Sequence, residues 1–179
     1  TSFTIQSAKG DGGVMTEGGL PFTASLENDE CLYNLQVFDN SDGTYSSTYA
    51  ISAPGDYELS LKLNDEYHIF GSPFQVRVTT GPAYAPKCQV KGDGLKYAKS
   101  METSYFNILA YDSLGNRRDV GGEGFKVSCS GPALLKALQD NNDGSYSCSF
   151  EVTATSDTVA QVPNAVRINV TLDGKHLKG

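Results

Sequence analysis

Histidine is scarce in this sequence, with two in 179 residues, and none of the four cysteines stands in CxxC spacing. Zinc sites need close-spaced pairs of such ligands, so no metal is expected. Long hydrophobic runs are missing too. No stretch approaches the roughly 20 apolar residues of a spanning helix, so no direct membrane contact is expected. Thr1–Gly10 has no leader pattern, and the abrupt start has the look of a fragment. Positive charge is in the minority, at 14 Lys and Arg against 21 Asp and Glu, a formal net charge of -7. Such a surface repels nucleic acid, and no cluster of basic and aromatic residues offsets it. No GxSxG, HExxH or phosphate-binding glycine loop occurs, so neither an enzyme nor a cofactor is expected.

What is present is ordinary for globular protein: 39% hydrophobic and 20% charged residues. The length suits two sandwiches of about 90 residues each. The chain repeats itself. Asp39-Asn40-Ser41-Asp42-Gly43-Thr44-Tyr45 returns as Asp140-Asn141-Asn142-Asp143-Gly144-Ser145-Tyr146. Gly18-Gly19-Leu20-Pro21-Phe22 returns as Gly121-Gly122-Glu123-Gly124-Phe125, and Tyr67-His68-Ile69-Phe70-Gly71 as Lys175-His176-Leu177-Lys178-Gly179. The echoes keep their order, as a duplicated domain requires. Both histidines fall at the same repeat position, in a turn, which points to a structural and not a catalytic use.

Between the echoes the apolar period is two. Phe3, Ile5 and Ser7 alternate, as do Phe22, Ala24 and Leu26, then Tyr57, Leu59, Leu61 and Leu63, then Phe74, Val76 and Val78. Leu32–Val37 and Thr44–Ala50 read as further strands. The second half gives Tyr105–Tyr111, Phe125–Cys129, Leu134–Leu138, Tyr146–Val152 and Val166–Leu172. Turn residues recur at roughly the 8–12-residue spacing of a β-sandwich. The expected fold is all-β: two tandem immunoglobulin-like sandwiches, residues 1–80 and 87–179. Residues 81–86 form the linker, where Gly81, Pro82 and Pro86 stop ladder pairing and stiffen the connection. The Asp-rich echoes read as hairpin turns. A calcium loop wants glycine at its sixth position, and here it is the fifth.

Asp-x-x-Asp-Gly-Thr-Tyr, then Pro54-Gly55-Asp56-Tyr57, then His68-Ile69-Phe70-Gly71-Ser72-Pro73-Phe74, in that order and spacing, resemble the filamin-type immunoglobulin-like repeat. The resemblance covers nearly the whole chain. It implies that Tyr57 is a tyrosine corner and that Ser72-Pro73-Phe74 opens the last strand. It also implies that repeat one lacks its first strand and repeat two its last. Repeat two departs from the pattern, with Val166 at the corner position, Pro163-Asn164 in place of Pro-Gly, and an insertion over Thr153–Val162.

The resemblance implies a protein-binding spacer without catalysis. In that family partner peptides add as an extra strand beside the third strand, over the groove to the fourth. The candidate groove in repeat two is Phe125, Lys126, Val127, Ser128 and Cys129, facing Leu134 and Leu135. It is preferred to Phe22–Leu26 facing Leu32–Val37 because it keeps Gly131-Pro132, which repeat one lacks. Cys129 and Cys148 sit on inward faces of strands that the family places in opposite sheets. Two buried thiols are one reading; an inter-sheet disulfide in an oxidising compartment is the other. Cys31 stands in an acidic loop and Cys88 opens the first strand of repeat two. Asn169-Val170-Thr171 is an N-glycosylation sequon whose Asn169 points outward. Two contexts follow. One is a cytosolic rod segment of a filamin-like scaffold, actin-linked through other parts of the parent protein, with partners bound by strand addition or domain–domain contact. The other is an extracellular adhesion module, as in the filamin-repeat proteins of plant gamete adhesion.

Overall fold

Strand forms wherever the period of two was read. The computed structural model describes residues 1–153 and 166–177. The insertion read over Thr153–Val162, apart from Thr153, lies outside the described residues, as do Pro163-Asn164 and Lys178-Gly179. The chain divides into two compact units, Thr1–Thr79 and Thr80–Gly179.

Unit 1 contains β1 (Ser2–Gln6), β2 (Phe22–Glu27), β3 (Leu32–Leu35), β4 (Val37–Asp39), β5 (Thr44–Thr48), β6 (Gly55–Leu63), β7 (Tyr67–His68) and β8 (Phe74–Val78). One sheet has the order β1-β5-β4; the other runs β3-β2-β6-β7, with β8 also paired to β6. Unit 2 contains β9 (Gln89–Lys91), β10 (Thr103–Leu109), β11 (Phe125–Ser130), β12 (Ala133–Asp140), β13 (Ser145–Val152), β14 (Arg167–Leu172) and β15 (Lys175–His176). Its sheets are β12-β13-β10-β9 and β11-β14-β15. Each unit encloses one core. Ile5, Leu26, Tyr45, Tyr57 and Leu61 form the first; Phe106, Ile108, Tyr146, Phe150 and Leu172 are central to the second. Burial of each large apolar side chain contributes about 1.5–3 kcal/mol.

The echoes fold alike. Tyr45 is buried against Phe22 with ring centroids 4.7 Å apart, and its hydroxyl accepts the Leu20 N–H at 2.9 Å. Tyr146 packs on Phe125 at 4.7 Å and accepts the Glu123 N–H at 2.8 Å. In the turns, Asp39 accepts the N–H of Ser41 and of Gly19, and Asp140 those of Asn142 and Gly122. Asp42 accepts from Thr44 and Asp143 from Ser145. The Thr44 and Ser145 hydroxyls, then their backbone N–H groups, hold these two carboxyls below the usual range. The acidic runs are thus turn machinery.

One strand boundary needs correction. Leu32–Val37, read as one strand, breaks at Gln36. Its first part, β3, pairs with β2, and its second, β4, crosses to the other sheet and pairs with β5. In unit 2 the matching segment stays one strand, β12, wholly on β13, with only a register shift between Leu135 and Ala137. The tyrosine corner forms as implied: the Tyr57 hydroxyl donates to Ala53 O at 3.0 Å. The last strand of unit 1 begins at Phe74, after a cis Ser72–Pro73 bond.

Candidate functional site

Backbone alternation decides which groups of β11 are open. Leu177 N donates to Val170 O, so Val170, and with it Ile168 and Leu172, turn their backbone groups toward β15. Asn169 and Thr171 then face β11, where they lie opposite Ser128 and Lys126. The N–H and C=O of Val127 and Cys129 are left pointing to the far edge of β11. Among the described residues β11 pairs only with β14, and β12 only with β13. The two strands are joined directly through Gly131-Pro132. Phe125 is buried, Val127 and Cys129 are half-buried, and Lys126 and Ser128 point to water. On β12 Leu134 is 55% exposed and Leu135 is half-buried, on opposite faces of the strand. Of the seven sequence-predicted residues, Val127 and Cys129 present open backbone groups on this edge.

Repeat one is built differently at this point. The Asn28–Cys31 turn, closed by Asn28 N donating to Cys31 O, folds β3 back along β2. Asn28 Oδ1 also accepts the N–H groups of Glu30 and Cys31 and the Cys31 thiol. Leu35 and Tyr33 then lie opposite Ala24 and Leu26, the counterparts of Val127 and Cys129. The edge of β2 is occupied by the chain itself. Gly131-Pro132 in repeat two sends the chain directly to the other sheet instead, and this is the physical content of the Gly-Pro signal.

His68 and His176 lie on exposed β7 and β15. His68 Nδ1 is 2.9 Å from Ser72 Oγ, which accepts the Leu61 N–H. All four cysteines are free thiols. Cys148 is buried in the unit 2 core, with Cys129 packed against the same cluster. Burial, and then the neighbouring Cys129, push the Cys148 thiol up to about 12. Burial also raises Cys88 and Cys129. Roughly one Cys148 side chain in 10⁴ is thiolate at pH 8, and only the thiolate attacks. Native alkylation at pH 8 is expected to leave Cys148 unmodified by peptide mass until denaturant is added. Labelling of Cys148 at the rate of half-exposed Cys31 would contradict the burial argument. Asn169 is exposed on the outer face of β14.

Sequence reading missed a buried polar cluster. Asp112, 2% exposed, accepts the N–H groups of Leu114, Asn116 and Gly81 and the Asn116 side-chain amide. Burial opposes ionisation of Asp112, but these hydrogen bonds outweigh it and hold the carboxyl below its ordinary range. Arg118 donates to Gly81 O, and its Nε forms an ion pair with Glu123 in which the N–H is not aligned for a hydrogen bond. The linker is thereby fastened to unit 2, and Ala85 enters that unit's core. The corresponding residues of repeat one are Lys9, Met15 and Leu20. That contrast, three charged residues in repeat two against one in repeat one, was the available signal.

Two antiparallel, immunoglobulin-like sandwiches in tandem define a class of protein-interaction and spacer modules. Such folds are typically non-catalytic. The Filamin/ABP280 repeat model matches residues 1–75 and 82–179, and the chain belongs to that family. It is 35% identical over 104 residues to human Tripartite motif-containing protein 2, covering 55% of this chain and 14% of that protein. It is 29% identical over 137 residues to mouse Filamin-C, covering 74% of this chain and 4% of that one. The chain thus spans a small part of the relatives it matches. Among solved structures, invasin, a bacterial integrin-binding protein, superposes with a TM-score of 0.66 at 16% identity, over 98% of this chain and 34% of that one. The Escherichia coli adhesin FdeC gives 0.65 at 17%, over 98% and 55%. At these identities the likeness is one of fold. Among the described residues no helix is long and apolar enough to cross a membrane.

Proposed function

We propose that the chain is a non-catalytic rod segment of a filamin-like actin cross-linking scaffold in the cytoplasm, and that repeat two receives partner peptides on the edge of β11. The open backbone of Val127 and Cys129 on the edge of β11 is the observation that supports the binding site. Strand addition draws affinity from the backbone and specificity from alternate side chains. Strand β3 supplies the pattern: an incoming strand runs antiparallel to β11 and sets apolar side chains opposite Val127 and Cys129. Actin is reached through other parts of the parent protein. Similarity to Filamin-C supports the cytoskeletal context.

Val127→Glu places a charge where the incoming apolar side chain would pack. Binding of extended peptides selected from a library on the wild-type chain is expected to fall at least about tenfold, a change of about 1.4 kcal/mol. Circular dichroism of the variant checks that unit 2 still folds. Unchanged binding would refute the site.

A second reading, an extracellular adhesion module, is favoured by two features: the thiols of Cys129 and Cys148 in one core cluster, and the outward Asn169. Alkylation in denaturant without reductant, then intact mass, on protein from its own cells, separates the two. Four free thiols and no glycan favour the cytosol. A linked Cys129–Cys148 pair or a glycan on Asn169 favours the cell exterior.

A further inference from the structure

The chain has a formal net charge of -7, yet the outer face of the sheet that holds the β11 edge is basic. Its outward side chains are Lys126, Ser128 and Ser130 on β11, with Thr171, Asn169 and Arg167 opposite them on β14. His176 on β15 stands opposite Thr171. Strands β11, β14 and β15 contain no Asp or Glu. Asp173 lies beside Gly124, beyond the end of β11. Among the described residues neither Lys126 nor Arg167 forms an ion pair. Their charge is therefore open to a ligand.

Repeat one differs in sign at the same places. Glu27 faces Glu58 where Ser130 faces Arg167 in repeat two, and Lys62 opposite Thr23 is the only Lys or Arg on the β2–β6 part of that face. The edge there is filled by β3, whose outward residues Leu32 and Asn34 carry no charge. The basic face thus belongs to the repeat whose edge is open.

Alternation sets where a ligand's charges must stand. A strand added to β11 hydrogen-bonds with Val127 and Cys129. Its residues opposite Lys126, Ser128 and Ser130 then form the pairs without hydrogen bonds, in which side chains approach more closely. The residue opposite Lys126 meets the ammonium group directly. The residue opposite Ser130 lies beside a side chain too small to screen it from Arg167, one strand further on. Opposite charges paired across strands attract, and like charges repel.

We infer that the β11 edge selects acidic strands. The segment it prefers has apolar residues opposite Cys129 and Val127, and a carboxylate side chain outward on each side of them, opposite Ser130 and Lys126. This rests on the peptide-binding reading above and adds the chemistry of the partner to it.

The test uses fluorescent peptides with the sequence of Leu32–Phe38, the strand pattern of repeat one. Laid on β11 as β3 lies on β2, they place position 32 opposite Ser130 and position 36 opposite Lys126. Three forms carry Glu, Gln or Lys at both of these positions and are titrated onto the whole chain at low salt, followed by anisotropy. The Glu form is expected to bind at least about tenfold tighter than the Lys form, with the Gln form between them. The difference should shrink in about 0.5 M salt. Lys126→Glu combined with Arg167→Glu, both at exposed side chains, should reverse the order. Val127→Glu should weaken all three. Equal affinities that all fall with Val127→Glu, or an order unmoved by the double change, would overturn the acidic preference and leave the binding site standing. No binding by any form, or binding indifferent to Val127→Glu, would overturn both.

Discussion

Gly144→Ala is expected to destabilise unit 2 by about 3 kcal/mol, a fall of roughly 12–24 °C in its unfolding temperature. Gly144 has φ +74°, and a Cβ added there would lie 2.1 Å from the carbonyl oxygen of Arg118. A flexible side chain could retreat from such an approach; a backbone carbonyl cannot without moving its loop, which the bond from Arg118 N to Ala110 O holds. The left-handed backbone adds about 1–2 kcal/mol for any residue with a Cβ. Repeat one poses the same problem at Gly43, φ +83°, where the Cβ would meet Met15 O at 2.0 Å. Gly12 separates the two contributions. It has φ +86° and nothing within 4 Å of the added carbon, so Gly12→Ala carries the conformational cost alone. Calorimetry of the three variants should show Gly43→Ala and Gly144→Ala well below Gly12→Ala. Equal shifts would mean that close approach is not why glycine follows aspartate in both turns.

The faces of the strands were legible in the sequence, and their edges were not. Period two tells which of Phe125, Lys126 and Val127 points inward, because the alternation is a property of one strand. Whether β11 has one neighbour or two depends on where a distant segment goes. Leu32–Leu35 and Ala133–Leu138 look alike by alternation, yet β3 caps β2 while β12 leaves β11 open. The deciding residues sit in the connection: Asn28, whose side chain gathers a tight turn, against Gly131-Pro132, which ends the pairing. Gly-Pro was legible as a difference, but the strand that takes its place in repeat one was not. Faces suffice to list Phe125–Cys129; that the backbone of Val127 and Cys129 is free required the register. The cluster of Asp112, Arg118 and Glu123 escaped because charged residues in a loop read as surface. Only the fold brings the linker over them.

That cluster sets up the second large effect. Glu123→Leu leaves the Arg118 guanidinium, its side chain 12% exposed, without its carboxylate partner. Breaking a buried pair from one side costs about 3–5 kcal/mol, and the slight exposure here lowers the expectation to about 2–4 kcal/mol. Repeat one shows a solution without charge at the same positions, since Leu20 and Met15 occupy the places of Glu123 and Arg118. Leu20 N and Glu123 N make the same bond to a tyrosine hydroxyl, and Met15 N and Arg118 N the same bond across their loops. Arg118→Met added to Glu123→Leu should therefore recover most of the loss and end within about 1 kcal/mol of wild type, the remainder being the lost bond to Gly81 O. A coupling of about 2 kcal/mol or more between the two changes is the measurable signature, by chemical denaturation of the single and double variants. The double variant also separates stability from fastening. Hydrogen exchange at Tyr84 and Cys88, whose amides bond to Tyr111 O and Tyr84 O, reports whether the linker still lies on unit 2. Recovered stability with faster exchange there would assign the ion pair to holding the linker. Recovered stability with unchanged exchange would assign the fastening to Asp112 and the buried Ala85.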